Sequence, residues 1–250
     1  MSNDPFNIPK RRIAKARKNV TDLIQHIQAY FNQSPFGRVT EPDETGAYQV
    51  HKIKVLQPIH DDLIDEAVSA AEELRSALDQ AVYATVVAKG VKSRSVYFPI
   101  AKSEQDLDGV IKRGKDIPPD IADLCKSYRP YKGGHELLWG LSELRNGTTH
   151  RLLTPIGTTI GQAHMKHMRC PGLIKEMTFP PRWNSEKSEL IVAIIGDDTH
   201  IEFDMQLGLY IALSGVETLE GRPAPETLSA MADEVEKIVL AIEEKCKSIT

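Results

Sequence analysis

Apolar residues recur every three or four positions through much of this chain, the spacing that gathers them on one face of an α-helix. From Lys10 onward, Ile13, Val20, Leu23, Ile24, Ile27 and Phe31 keep that rhythm until Pro35 and Gly37 end it. The longest stripe comprises Leu63, Ile64, Ala67, Val68, Ala71, Leu74, Leu78, Ala81 and Val82, and predicts a helix over 60–89. Its alanines favour close helix packing, and Asp61, Asp62, Asp65 and Glu66 crowd the first turns, where negative charge suits the helix dipole. Ser103 ahead of Glu104-Gln105-Asp106 reads as a cap and first turn. Ile117-Pro118-Pro119-Asp120 opens a short helix with Ile121, Leu124 and Tyr128 on one side. Gly133-Gly134 opens another over 135–152, packed by Leu137, Leu138, Leu141 and Leu144 and closed by Pro155 and Gly157. Near the end, Pro225 precedes Leu228, Met231, Val235, Ile238 and Ile242, a helix that packs on a core or on a second subunit.

Elsewhere the pattern is that of strands. Tyr48 to Leu56 reads as extended, as does the short piece Val96-Tyr97-Phe98-Pro99-Ile100. Residues 36–47 read as a polar loop and Thr178-Phe179-Pro180-Pro181 as a turn. Ser188 to Gly196 and Thr199 to Phe203 form a predicted hairpin through Gly196-Asp197-Asp198, with Gln206 to Ser214 as a third strand. The expectation is an α+β protein. A flexible tail over 1–9 precedes a helical region over 10–155, and a small antiparallel sheet with a C-terminal helix over 156–250 packs on that region.

Composition narrows the function classes. A chain of 250 residues can bury a substantial core. Its formal net charge of -4 argues against a constitutive nucleic-acid coat and leaves room for a local basic patch. The stretch Lys10–Lys18 holds six cations. It reads first as a solvated helix face and second as a phosphate-contacting one, with Lys15, Arg17 and Lys18 as the candidates. Three widely spaced cysteines, Cys125, Cys170 and Cys246, suit reduced thiols rather than a disulfide framework. The longest apolar run, Leu190–Ile195, has only a strand's length, and the basic N-terminus lacks an apolar signal core. A cytoplasmic protein with no membrane partner is the expectation.

The densest chemistry lies in Arg145-Asn146-Gly147-Thr148-Thr149-His150, a pattern R-N-x-x-x-H. A histidine near neutral pKa can take or give a proton, and an arginine offers a planar fork of donors to a phosphate. At about 100° per residue, Asn146 and His150 share a helix face, while Arg145 and His150 stand roughly 140° apart. Gly147, Thr148 and Thr149 are poor helix formers that permit a distorted turn bringing both to one phosphate. The pattern resembles the signature of HEPN-type ribonucleases. The resemblance implies a metal-independent endoribonuclease of the toxin or phage-defence kind, with Arg145, Asn146 and His150 catalytic and no cofactor or metal. It implies RNA as substrate, for which Lys15, Arg17, Lys18 and Arg151 are the candidate RNA-binding residues by their charge. It also implies a homodimer with a site composed across two motif helices, and an antitoxin or regulatory partner. The alternative is a non-catalytic helical binding or assembly protein in which Asn146 and His150 are structural.

A longer likeness covers roughly residues 60–155. The long helix, Phe98-Pro99-Ile100, Arg129-Pro130-Tyr131, Leu138-Trp139-Gly140-Leu141 and Asn146…His150-Arg151 follow in order. This is similar to a group of uncharacterised bacterial proteins with FPI, QPY and LW…N…DKHR elements. Arg129 replaces the usual glutamine, Thr148-Thr149 replaces Asp-Lys, and arginine at position 145 is not regular in the group. The likeness implies architecture more than activity.

Other constellations are weaker. His164, His167 and Cys170 stand at steps of three, a zinc-like spacing without an evident fourth ligand. Cys125 has His135 and His150 as conceivable bases, but its surroundings match no thiol hydrolase. Tyr131 and Trp139 read as base-stacking or core aromatics, with core favoured beside Leu138 and Leu141. No P-loop, dinucleotide glycine fingerprint, H-E-x-x-H or G-x-S-x-G occurs.

Overall fold

A computed structural model describes residues 4–91, 96–146, 152–159, 174–184, 187, 189–196 and 207–249. The order of elements is α1 (Asn7–Asn32), β1 (Phe36–Pro42), β2 (Tyr48–Val55), α2 (Asp61–Ala88), α3 (Glu104–Arg113), α4 (Pro119–Ser127), α5 (Glu136–Asn146), β3 (Leu153–Thr159), β4 (Ile174–Asn184), β5 (Glu189–Gly196), β6 (Leu207–Leu213) and α6 (Ala224–Ile249). The protein is α+β, helix-rich, with a small antiparallel sheet and a C-terminal helix. Among the described residues, no helix is long and apolar enough to cross a membrane.

Contacts group the chain into two units, each assembled from separated stretches. The first holds residues 1–26, 61–152 and 213–250, and the second 27–60 and 153–212. A single boundary near residue 155 was the sequence expectation. It fails because α6 finds the partner for its apolar stripe among the earlier helices, and β2 finds the partner for its ladder in the later strand β5.

In the first unit α2 is central. Its stripe buries Leu63, Ala67, Ala71, Leu74, Leu78, Ala81 and Val82 as predicted. It packs most extensively against α6 and next against α5. The small alanines let α6 approach, and each fully buried leucine contributes about 2 kcal/mol. Leu228, Met231, Val235, Ile238 and Ile242 of α6 are all buried within the chain. Helix α1 begins at Asn7, ahead of the expected Lys10, and Phe6 is already buried, so the expected tail is shorter. Ser103 caps α3 by accepting the amide hydrogen of Asp106 at 3.3 Å.

In the second unit the sheet order is β1-β2-β5-β4, and β3 pairs with β6 separately. β1 and β2 form a hairpin running from Phe36 opposite Val55 to Pro42 opposite Gln49. The polar loop expected over 36–47 is therefore a strand followed by a turn. The turn closes on Asp43, whose Oδ1 accepts from the amides of Thr45 and Tyr48, with Gly46 at φ +71°. β1 escapes detection because Arg38, Thr40 and Glu41 give it no apolar alternation.

The apolar run of β5 is an inner strand, paired with β2 on one side and β4 on the other. Its expected partner, Thr199–Phe203, lies outside the described residues. The expected turn Thr178–Pro181 instead lies inside β4. Register there jumps from Met177 opposite Ala193 to Arg182 opposite Ile191, so the intervening residues form a bulge. β4 ends the sheet, and an edge strand tolerates that bulge and its two prolines because, among the described residues, no further strand of the sheet requires the missing N–H donors. Pro155 and Gly157, expected to close the motif helix, lie in β3.

Candidate anion site at the end of the motif helix

Helices α2 and α5 and the segments 96–101 and 129–131 meet in the first unit. Helix α2 places Arg75 and Asp79 one turn apart, both about nine-tenths buried, with Arg75 Nη1 2.8 Å from Asp79 Oδ1. The contact lies off the hydrogen-bonding direction, so Arg75 Nη1 has an ion partner but no aligned acceptor. The pair instead holds the extended segment 96–100. The Phe98 amide donates to Asp79 Oδ1 at 3.0 Å, and the Phe98 carbonyl accepts from Arg75 Nη2 at 3.0 Å. A backbone segment without a strand partner thereby satisfies its buried polar groups.

That segment is tied in turn to Arg129-Pro130-Tyr131. The Ala101 amide donates to the Pro130 carbonyl at 2.9 Å, and Ala101 bridges Tyr131 in parallel. Arg129 takes φ +51°, and its Nε donates to the Tyr131 hydroxyl at 3.0 Å. Gly134 is required by close approach, because a Cβ there would strike the Arg129 carbonyl and the Tyr131 ring. Tyr131 is buried, which removes it as a base-stacking platform.

Helix α5 packs on α2, buries Leu138, Leu141 and Leu144, and carries Arg145 in its last turn. Arg145 is exposed, and its Nη1 lies 3.4 Å from Asp79 Oδ2, a loose pairing. A cavity of about 400 Å³ opens there, walled by Tyr97–Ile100, Val110 and Gly114. Arg75, Arg113 and Arg145 line it against one carboxylate, Asp79. Burial pushes the Asp79 carboxyl up, against the pull of Arg75, the Phe98 amide and Arg145. Burial likewise lowers the Arg75 guanidinium, with Asp79 opposing. Arginine remains charged, so the cavity carries surplus positive charge suited to an anion.

Of the residues expected to act, only Arg145 has a described side chain at this site. Asn146 ends α5, and nothing is described of its side chain. His150 and Arg151 lie outside the described residues, as do His164, His167 and Cys170. Among the described residues, no group of three metal-ligating side chains is assembled. Cys125 is buried, and burial pushes its thiol up to about 12, which makes it inert as a nucleophile.

The basic face of α1 is engaged inside the chain. Arg12 and Lys15 both reach Glu73 of α2, at 2.8 and 2.7 Å. Arg17 bridges Asp233 and Glu236 of α6, Lys10 meets Glu243, and Lys18 meets Asp22. Lys15, Arg17 and Lys18 are therefore ion-pair partners first, and do not lie at the Arg145 cavity.

Arg75, Asp79 and Arg113 escape motif reading, although a signal exists for two of them. Arg75 and Asp79 fall on the apolar stripe beside Leu74 and Leu78, where an unpaired charge would be costly. Two opposite charges four residues apart on a buried face imply a pair with a positioning task. No protein-family model matches the chain, and no curated protein or solved structure matches it.

Proposed function

We propose that the protein is a metal-independent endoribonuclease of HEPN-like type. The observation that carries the reading is the company kept by Arg145. It stands at the end of the motif helix, in a cavity where three guanidinium groups face one carboxylate. Such a surplus suits a phosphate, whose developing negative charge preorganised donors stabilise in the transition state. In this reading Arg145 leaves its loose contact with Asp79 to take the phosphate. His150 moves the proton at the ribose 2′-hydroxyl or at the leaving oxygen. Asn146 orients His150, and Arg151 adds affinity for RNA. One histidine serves both ends of the bond poorly, so two copies compose the site, and an antitoxin or regulatory partner governs it.

The test is cleavage of total RNA with chelator present. Wild type should cut and leave 2′,3′-cyclic phosphates, with activity falling at low pH as the base protonates. His150→Ala should abolish cleavage and leave the melting temperature unchanged. Arg145→Lys should be severely impaired, because a point charge does not reproduce the fork. A second reading is favoured by the Arg145–Asp79 contact itself, which ties the arginine to its own fold. It is a non-catalytic binding protein, and RNA binding without cleavage by wild type would select it.

A further inference from the structure

The Arg145 cavity continues beyond Arg113. A second hollow of about 670 Å³ shares Ile100, Val110 and Arg113 with it and adds Lys102, Gln105 and Gly109. The two adjoin across this common wall. Their cations are Arg75, Arg145, Arg113 and Lys102, and their acids are Asp79 and Asp106. Arg75 occupies Asp79, and Asp106 accepts a hydrogen bond from the Ser103 hydroxyl at 2.7 Å. Arg113 and Lys102 are exposed and pair with no carboxylate among the described residues. In the extended segment Val96 and Phe98 point inward, which turns Tyr97 outward to line the first hollow with 59% of its surface exposed.

We propose that the joined hollows form a track for single-stranded RNA. Successive phosphates lie at Arg145 and at Arg113 with Lys102, and a base stacks on Tyr97. The choice of RNA rests on the ribonuclease reading, while the track rests on the geometry. One phosphate would be satisfied by two guanidinium groups, whereas these cations extend over two hollows and suit a chain of phosphates. A duplex keeps its bases stacked on each other, but a single strand offers a π-face to an exposed aromatic ring.

The test is binding of a labelled single-stranded RNA oligonucleotide, followed by fluorescence anisotropy in a His150→Ala background. Tyr97→Ala should weaken binding about tenfold and Tyr97→Phe should retain it. Arg113→Ala should weaken it and lower the salt slope by about one. A Cβ at Gly109 would meet nothing within 4 Å, so Gly109→Glu puts negative charge into the second hollow without a clash. It should weaken binding without lowering the melting temperature, since glutamate is the better helix former inside α3. Equal affinity in all these variants would overturn the track, as would no binding of the oligonucleotide by the parent. Equal affinity for the duplex, or displacement by inorganic phosphate alone, would overturn it too. Cleavage by wild type with unaltered binding in the variants removes the track and keeps the ribonuclease. Variant-sensitive binding without any cleavage by wild type keeps the track and removes the ribonuclease.

Discussion

Asp79 is the residue on which the site turns. It accepts the Phe98 amide, neutralises buried Arg75 and touches Arg145. Asp79→Asn leaves Arg75 charged, buried and unpaired, so it should cost about 3 kcal/mol, read as a lower denaturant midpoint. The double variant Arg75→Met, Asp79→Leu should lose less than the two single changes summed, because no orphan charge remains. Strict additivity would show that the two side chains do not act as a pair. Gly140 makes a second prediction. A Cβ there would lie 2.7 Å from the Leu219 side chain, so Gly140→Ala should destabilise by about 1 kcal/mol despite its better helix propensity.

At the scale of elements, the cations of α1 fasten it to α2 and α6. Burial alone would raise the Glu73 carboxyl, but hydrogen bonds from Lys15 and Arg12 outweigh it and hold the pKa below the usual glutamate value. Glu243 is held down in the same way by Lys10 and Lys247. The unfolded chain therefore binds these protons more readily than the folded one. The stabilisation is complete above the ordinary carboxylate range and is lost as pH falls through the lowered folded pKa. Glu73→Gln should flatten that acid limb in a series of melts from neutral to acidic pH, and an unaltered limb would refute the linkage. Lys15→Ala, Arg17→Ala and Lys18→Ala together should lower the melting temperature only slightly, since the cations are exposed and their pairs are screened by solvent. The same triple variant should leave the salt dependence of RNA binding unchanged. A flattened slope would return this face to the RNA-binding surface.

At the scale of the molecule, the structure alters the case for a homodimer. The sequence left the apolar stripe of α6 a choice between a core and a second subunit, and the chain covers it with its own helices. What remains is the chemical need for a second proton-transfer group. Light scattering at micromolar concentration should give about twice the 27.9 kDa chain mass. A monomer that stays monomeric with RNA, yet cleaves it, would show that one copy of the site suffices.

The sequence by itself determined the helices with strong periodicity, because an apolar stripe every three or four residues has one low-energy solution. Leu63–Val82 and Leu228–Ile242 were legible for that reason, and Ser103 fixed where α3 begins. It also marked β2 and β5 by their apolar content, and it drew attention to Arg145 at the end of α5. Only the tertiary structure decided partners. β1 is polar and exists because β2 offers it a ladder, and Pro180-Pro181 sit within a strand because that strand lies at an edge. The joining of α6 to the earlier helices is a choice among complementary surfaces far apart in the chain. The anion site arose in the same way. Arg75, Tyr97, Arg113 and Arg145 come from separate elements, and no local spacing records that they line one cavity. Local propensity acts over a few residues, whereas a site is made by contacts between segments that only the packed core brings together.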